Sequence, residues 1–158
     1  MDYMSTEKTY QIVCGELADT LSLAEKTGRS CRGGEVFELI SDLGGGKTAF
    51  VRGLAKGMGT TDEVTSPSFT VNNTYTSSKL TLEHFDFYRL DVPGLLSGQL
   101  EEDIFQPDTV VAVEWGDIVS DILPDSRVRV TISVEANDSR TIQFNFPEEL
   151  SYLFEEMQ

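Results

Sequence analysis

The sequence predicts an α/β domain of three layers, with helices on both faces of a mixed, partly antiparallel central sheet. Three observations predict it. The strand-like run Val36-Phe37-Glu38-Leu39-Ile40 passes through a glycine-rich turn directly into a helical pattern, the start of a βα unit. Thr109–Trp115 is a nearly continuous apolar run, as expected of a strand buried on both faces. Arg127–Glu135 and Thr141–Phe146 alternate apolar and polar residues and are joined only by Ala136-Asn137-Asp138-Ser139. So short a link joins only antiparallel neighbours.

The elements follow in order. Residues near Ser5–Thr27 read as a helix capped by Ser5 or Thr6, with Ile12, Val13, Leu17, Leu21 and Ala24 as its inward stripe. Gly28–Gly34 reads as a polar link. Val36–Ile40 is a buried strand. Thr48–Met58 reads as a helix with Phe50, Val51, Leu54 and Met58 inward and Gly59 as its stop. Pro67 forces an extended or turn geometry at Ser66. Strands follow at Phe69–Tyr75 and Leu80–Leu90, linked by Thr76-Ser77-Ser78-Lys79. Gly94–Phe105 reads as a loop leading to a short acidic helix. After the central strand and the C-terminal hairpin, Pro147–Met157 reads as a closing helix with Pro147 in its first turn. At 158 residues the chain has the length of one domain.

Composition narrows the function classes. The net charge is −15, from 27 acidic and 12 basic residues. That field opposes nonspecific nucleic-acid binding, which needs Lys and Arg against phosphates. In an RNA pathway another subunit is therefore expected to hold the RNA. Lys26, Arg29 and Arg32 form a local basic cluster that a solvated helix end explains equally well. No apolar run approaches the roughly 20 residues that span a bilayer, and the N-terminal residues do not read as a secretory signal. Cys14 and Cys31 make no disulfide framework. They read as small buried hydrophobes in a reducing cytoplasmic setting.

The chemistry concentrates in Ser41-Asp42-Leu43-Gly44-Gly45-Gly46-Lys47-Thr48. Consecutive glycines let backbone N–H groups turn inward on an anion. Lys47 reaches outer phosphates, and the Thr48 hydroxyl suits Mg²⁺. The following helix adds its positive end. Ser41 stands where the G-x-x-x-x-G-K-[ST] pattern has Gly, which costs little provided its φ is negative. A glycine-rich turn before a surface lysine is the plain alternative. With the flanking strand and helix, the segment predicts a P-loop NTPase-like three-layer sandwich.

On a strand, His84, Asp86 and Tyr88 share one face while Arg89 takes the other. Asp86 would hold a Mg²⁺-bound water or orient the attacking water, with His84 beside it. Glu114 ends an apolar strand, where P-loop proteins place the acidic residue facing Mg²⁺ and where open α/β sheets collect ligands. Trp115 either shapes the pocket or serves as a core aromatic. Thr65-Ser66-Pro67-Ser68-Phe69-Thr70 sits where nucleotide-sensing loops occur, although an ordinary hydroxyl-supported turn explains it nearly as well.

Taken together these motifs resemble the TsaE family, also called the YjeE-type ATPases. The matching residues are Leu43-Gly44-Gly45-Gly46-Lys47-Thr48-Ala49-Phe50-Val51-Arg52-Gly53, then Ser66-Pro67-Ser68-Phe69, then His84, Asp86, Tyr88 and Arg89, then Glu114-Trp115. The resemblance runs from about Thr9 to Phe146. It implies a bacterial ATPase, slow alone, that assists synthesis of threonylcarbamoyladenosine on tRNA with TsaD and TsaB. It implies that Asp42–Thr48 and Ala49 hold ATP, with Lys47, Asp86 and Glu114 catalytic. Thr48 and Glu114 would flank Mg²⁺, and Thr9 and Arg140 would meet the adenine end. It further implies contact with tRNA only through the complex. Ser41, Gly45, Ser68 and Gly116 depart from the family's usual letters without removing a charged or metal-binding group. A small-molecule kinase and a non-catalytic ATP-binding module are the alternatives. No N-K-x-D motif is present to read guanine.

Overall fold

The computed structural model describes residues 6–41, 46–61, 72–87 and 95–157. Asp42, Leu43, Gly44 and Gly45, the Ser66–Phe69 motif, and Tyr88 and Arg89 lie outside the described residues. The strands are β1 (Glu7–Cys14), β2 (Val36–Ile40), β3 (Asn72–Thr76), β4 (Thr81–Asp86), β5 (Thr109–Glu114), β6 (Val128–Val134) and β7 (Arg140–Pro147). The α-helices are α1 (Leu17–Arg29), α2 (Lys47–Gly57) and α3 (Leu95–Ile104), and 3₁₀ segments cover Gly116–Val119 and Glu148–Met157. The strands form a seven-stranded sheet in the order β1-β7-β6-β2-β5-β4-β3. Strands β6, β2, β5 and β4 run parallel. The pairs β1–β7, β6–β7 and β3–β4 are antiparallel. The mixed sheet is as the sequence predicts.

The N-terminal segment is not one helix. Residues 7–14 are an edge strand whose register with β7 runs from Glu7↔Pro147 to Cys14↔Arg140. Tyr10, Ile12 and Cys14 alternate toward the core, and Val13 is 62% exposed. Period-two alternation across a β-ladder wins over the weaker helical spacing. Helix α1 starts only at Leu17, where the Glu16 N–H donates to Asp19 Oδ2 at 3.0 Å. The C-terminal segment also departs from expectation. Pro147 closes β7, and Glu148–Met157 winds as 3₁₀ with Leu150, Leu153 and Phe154 buried.

Apolar residues form two cores, one on each sheet face. Strands β1, β7, β6, β2 and β5 meet α1, α2 and the C-terminal 3₁₀ segment through Phe37, Leu39, Phe50, Leu54, Phe144 and Phe154. On the opposite face Phe85, Phe87, Val111 and Val113 pack with Leu100 of α3 and with Val119 and Leu123. Helices α1 and α2 touch backbone to backbone. A Cβ on Gly28 would sit 2.3 Å from Leu54 O, and one on Gly57 would sit 2.1 Å from Glu25 O. Gly28 therefore belongs to helix packing and not to a linker.

The turn from α1 to β2 is pinned by Glu35, which is 2% exposed. Its carboxylate accepts the Arg32 and Gly33 N–H groups at 2.8 Å each and the Tyr152 hydroxyl at 2.5 Å. Burial and then this bond to Glu35 hold the Tyr152 phenol well above its ordinary pKa. Arg32 lies 4.0 Å from the Tyr152 ring centroid, and Arg29 pairs with Glu25 and Glu156. The basic cluster is thus largely spent on internal contacts. Cys14 and Cys31 are free and buried. Burial pushes both thiols up, with the Glu35 charge adding at Cys31 and Asp19 at Cys14.

Candidate functional site

Strand β2 ends at Ile40 and α2 begins at Lys47, so the glycine-rich segment joins a central parallel strand to a helix N-terminus. Gly46 caps α2 in the left-handed region at φ 104°, a conformation that costs Gly little. Its carbonyl accepts the Phe50 N–H at 3.1 Å, the first turn of the helix. Ser41 is not among the positive-φ residues, so it replaces Gly there without backbone strain. Thr48 and Ala49 fill the first turn, Thr48 half-buried and Ala49 buried.

Lys47 is 6% exposed, although it starts a helix. Its ammonium donates to Ser41 O at 3.2 Å, lies 3.8 Å from Glu114 Oε1, and sits 4.5 Å from the Trp115 ring centroid. Glu114 is the last residue of β5 and is itself 4% exposed. It stands opposite Leu39 of β2 and opposite Asp86 of β4. Because the strands are parallel and in register, Asp86 and Glu114 share the sheet face that carries α2. Two carboxylates thus end adjacent strands on one face, and Glu114 lies beside a buried ammonium.

His84 is fully buried and lies two residues before Asp86 on the same face. Its Nε2 is 2.6 Å from Glu114 Oε2, and its Nδ1 is buried without a partner. The network assigns the proton to Nε2, since a bare nitrogen is cheaper to bury unpartnered than an N–H. The sequence places His84 beside Asp86, whereas the structure gives it a defined bond to Glu114. Trp115 adopts φ 59° and ψ 47°, a left-handed conformation costing a non-glycine residue on the order of 1–2 kcal/mol. Its ring both covers Lys47 and packs on the second core, so the two readings of this residue coexist.

Arg140 reaches the site from β7: a Cβ on Gly46 would come 3.3 Å from its Nε. Thr9 does not reach it. Thr9 pairs with Asn145, whose amide donates to it at 3.0 Å. That is five residues along β7 from Arg140, roughly 17 Å at strand rise, and on the opposite sheet face. Among the described residues no group of three His, Cys, Asp or Glu side chains converges to hold a metal alone. No described helix is long and apolar enough to cross a membrane.

A central parallel strand, a glycine-led helix N-terminus bearing Lys and Thr, and an acid at the end of the neighbouring strand define a P-loop NTPase-like α/β protein. The solved crystal structure of Bacillus subtilis YdiB superposes on the chain with a TM-score of 0.80, at 30% identity, covering 96% of this chain and 95% of that one. The family model described as "Threonylcarbamoyl adenosine biosynthesis protein TsaE" matches residues 14–142. The tRNA threonylcarbamoyladenosine biosynthesis protein TsaE of Bacillus subtilis is 35% identical, over 80% of this chain and 78% of that relative. The protein of the same name from Nostoc is 38% identical, over 74% of each chain. The chain belongs to the TsaE family of tRNA threonylcarbamoyladenosine biosynthesis proteins.

Proposed function

We propose that the protein is a Mg²⁺-dependent cytoplasmic ATPase that acts with TsaD and TsaB, and meets tRNA only through that complex. The observation that carries the reading is the buried Lys47 ammonium at the head of α2, 3.8 Å from Glu114. A buried ammonium at a helix N-terminus, held ready by Ser41 O and Glu114, is well placed to meet an anion there. The triphosphate would lie along the loop 42–46 and the first N–H groups of α2, drawing Lys47 off Ser41. The family resemblance extends that cradle through Asp42, Leu43, Gly44 and Gly45. Arg140, beside Gly46, would meet the nucleoside end.

Thr48 and Glu114 fit Mg²⁺: both offer hard oxygens, and among the described residues too few side chains converge to hold the ion without phosphates and water. When bound, the ion neutralises charge on the phosphate oxygens. His84 holds the Glu114 carboxylate in place. Asp86 orients the water that attacks the terminal phosphorus, and ADP departs with the bridging oxygen. Such catalysis is mainly positioning and electrostatics. The isolated chain is expected to turn over slowly.

Calorimetry with ATP and phosphate-release assays with and without TsaD and TsaB test this. Lys47→Ala is expected to lose nucleotide binding. Asp86→Ala is expected to bind ATP but release no phosphate. A Lys47→Ala protein that hydrolyses ATP at the parental rate with both partners present overturns the assignment, and phosphate transfer to a small acceptor would instead indicate a kinase.

A further inference from the structure

The sheet ends at β1, which pairs with β7 alone. The phase of the ladder decides which of its backbone groups are left over. At the hairpin end of β7, the Glu135 N–H donates to Ser139 O at 2.8 Å. Odd-numbered residues of β7 therefore turn their N–H and C=O groups toward β6, and even-numbered ones toward β1. The register then ties Lys8, Tyr10, Ile12 and Cys14 of β1 to β7. The backbone groups of Thr9, Gln11 and Val13 face outward, and among the described residues none of them has a backbone partner there.

This edge lacks the protections that keep strands apart. From Thr9 to Cys14 it carries no charge and no proline, and one-to-one pairing with β7 leaves no bulge. Val13 is 62% exposed, and Leu17 at the head of α1 is 50% exposed. Helix α1 doubles back beside the strand. Ile12, Val13 and Cys14 line a cavity of about 440 Å³ together with Asp19, Ser22 and Lys26 of α1. Asp19 accepts the Glu16 N–H. Among the described residues Asp19 pairs with no cation and Lys26 with no carboxylate.

We infer that β1 is a homodimer interface: a second copy of the chain adds its own β1 antiparallel to this edge, about a two-fold axis at Gln11. The strand fits itself in that arrangement. Thr9 stands opposite Val13 of the second copy, and Gln11 opposite its own counterpart. These are the outward-facing rungs, so each pair exchanges two main-chain hydrogen bonds. Thr with Val is a β-branched pair suited to cross-strand contact. Lys8 falls opposite Cys14 and Glu7 opposite Gly15, so no like charges meet along the seam.

The same axis aligns opposite charges on α1 and its copy. Gln11 lies about 10 Å below Cys14 at strand rise. The midpoint between Asp19 and Lys26 lies about 8 Å down α1 from Leu17 at helical rise. Strand and helix therefore share one level on the axis, and Asp19 of each copy meets Lys26 of the other. This second match selects a copy of the chain over an unrelated extended segment, which satisfies the rungs of β1 but not the charges of α1. The net charge of −15 opposes association, but at 0.1 M salt it is screened beyond about 10 Å, and the seam itself is uncharged.

Sedimentation velocity across a wide range of concentration, with NMR amide exchange on the same samples, tests the interface. The nucleotide-free full chain is expected to pass from monomer to dimer as concentration rises. The amides of Thr9, Gln11 and Val13 are expected to gain protection with it, while those of Tyr10, Ile12 and Cys14 stay protected throughout. Gln11→Pro removes an outward N–H without touching the β7 ladder. It is expected to stay monomeric and still bind ATP by calorimetry, so the interface and the nucleotide site are tested apart. Gln11→Ala is expected to dimerise like the parent. Lys26→Asp is expected to weaken dimerisation at least roughly tenfold. Mixing Lys26→Asp with Asp19→Lys chains is expected to restore it, since every charge then meets its opposite. Thermal melts check that each variant is folded, and the charge-swapped mixture decides should Gln11→Pro not fold. A parent that is monomeric at every concentration, a folded Gln11→Pro protein that dimerises like it, or a mixture that does not recover overturns the inference. So does an edge that gains protection only when TsaD and TsaB are added, an outcome that assigns it to those partners.

Discussion

His84 shows how much one side chain carries. Its ring is fully buried and spends its only available bond on Glu114. Replacing it with Ala leaves that carboxylate short of a buried donor beside Lys47, at a cost of about 1–3 kcal/mol. Denaturant melts of His84→Ala are expected to show that loss. Phosphate release with TsaD and TsaB is expected to fall further than ATP binding, with partial recovery in His84→Gln, whose amide can still donate. If binding and turnover fall together and Gln restores neither, His84 only fills space. Lys47, Asp86 and Glu114 are legible in the sequence because their cues are local: a glycine run before Lys-Thr, and acids at the ends of apolar or alternating strands. The His84–Glu114 and Glu35–Tyr152 bonds are not. Each joins residues 30 or more positions apart, and only the finished sheet brings them together.

At the scale of elements, the α1–α2 crossing is set by glycine. A Cβ on Gly53 would meet Ala24 Cβ at 2.5 Å and Leu21 O at 2.7 Å. Both neighbours sit on a helix that cannot yield locally. Gly53→Ala is therefore expected to destabilise the protein by roughly 1–3 kcal/mol, even though Ala is the better helix former. An unchanged denaturation midpoint would show that α1 shifts freely against α2. The helix α2 and strands β2, β5, β6 and β7 are readable from period and stop signals alone. Strand β1 is not, because its pairing partner lies over 120 residues downstream: Glu7 meets Pro147. Without that partner, adjacent Ile12 and Val13 followed by Leu17 and Leu21 imitate a helical stripe.

At the scale of the whole molecule, the net charge of −15 governs what the surface meets. Arg29 is paired internally, Arg32 lies over Tyr152, and Arg127 and Arg129 pair with Glu38 and Glu7. Those four guanidiniums are spent on contacts within the chain, and the acidic excess opposes a phosphate backbone. Filter binding of the isolated protein to tRNA is expected to show no retention at about 0.1 M salt, and retention only when TsaD and TsaB are added. Retention of tRNA by the chain alone would remove the need for a partner to carry the substrate.

The single tryptophan of the chain is the residue stacked against the Lys47 ammonium. A positive charge held that close to an indole perturbs its excited state, and drawing the charge toward a phosphate relieves the perturbation. If nucleotide binds as proposed, the lone tryptophan becomes an intrinsic optical reporter of that occupancy. Emission from the unlabelled chain should track nucleotide arrival and departure in real time, before and during its engagement by other subunits.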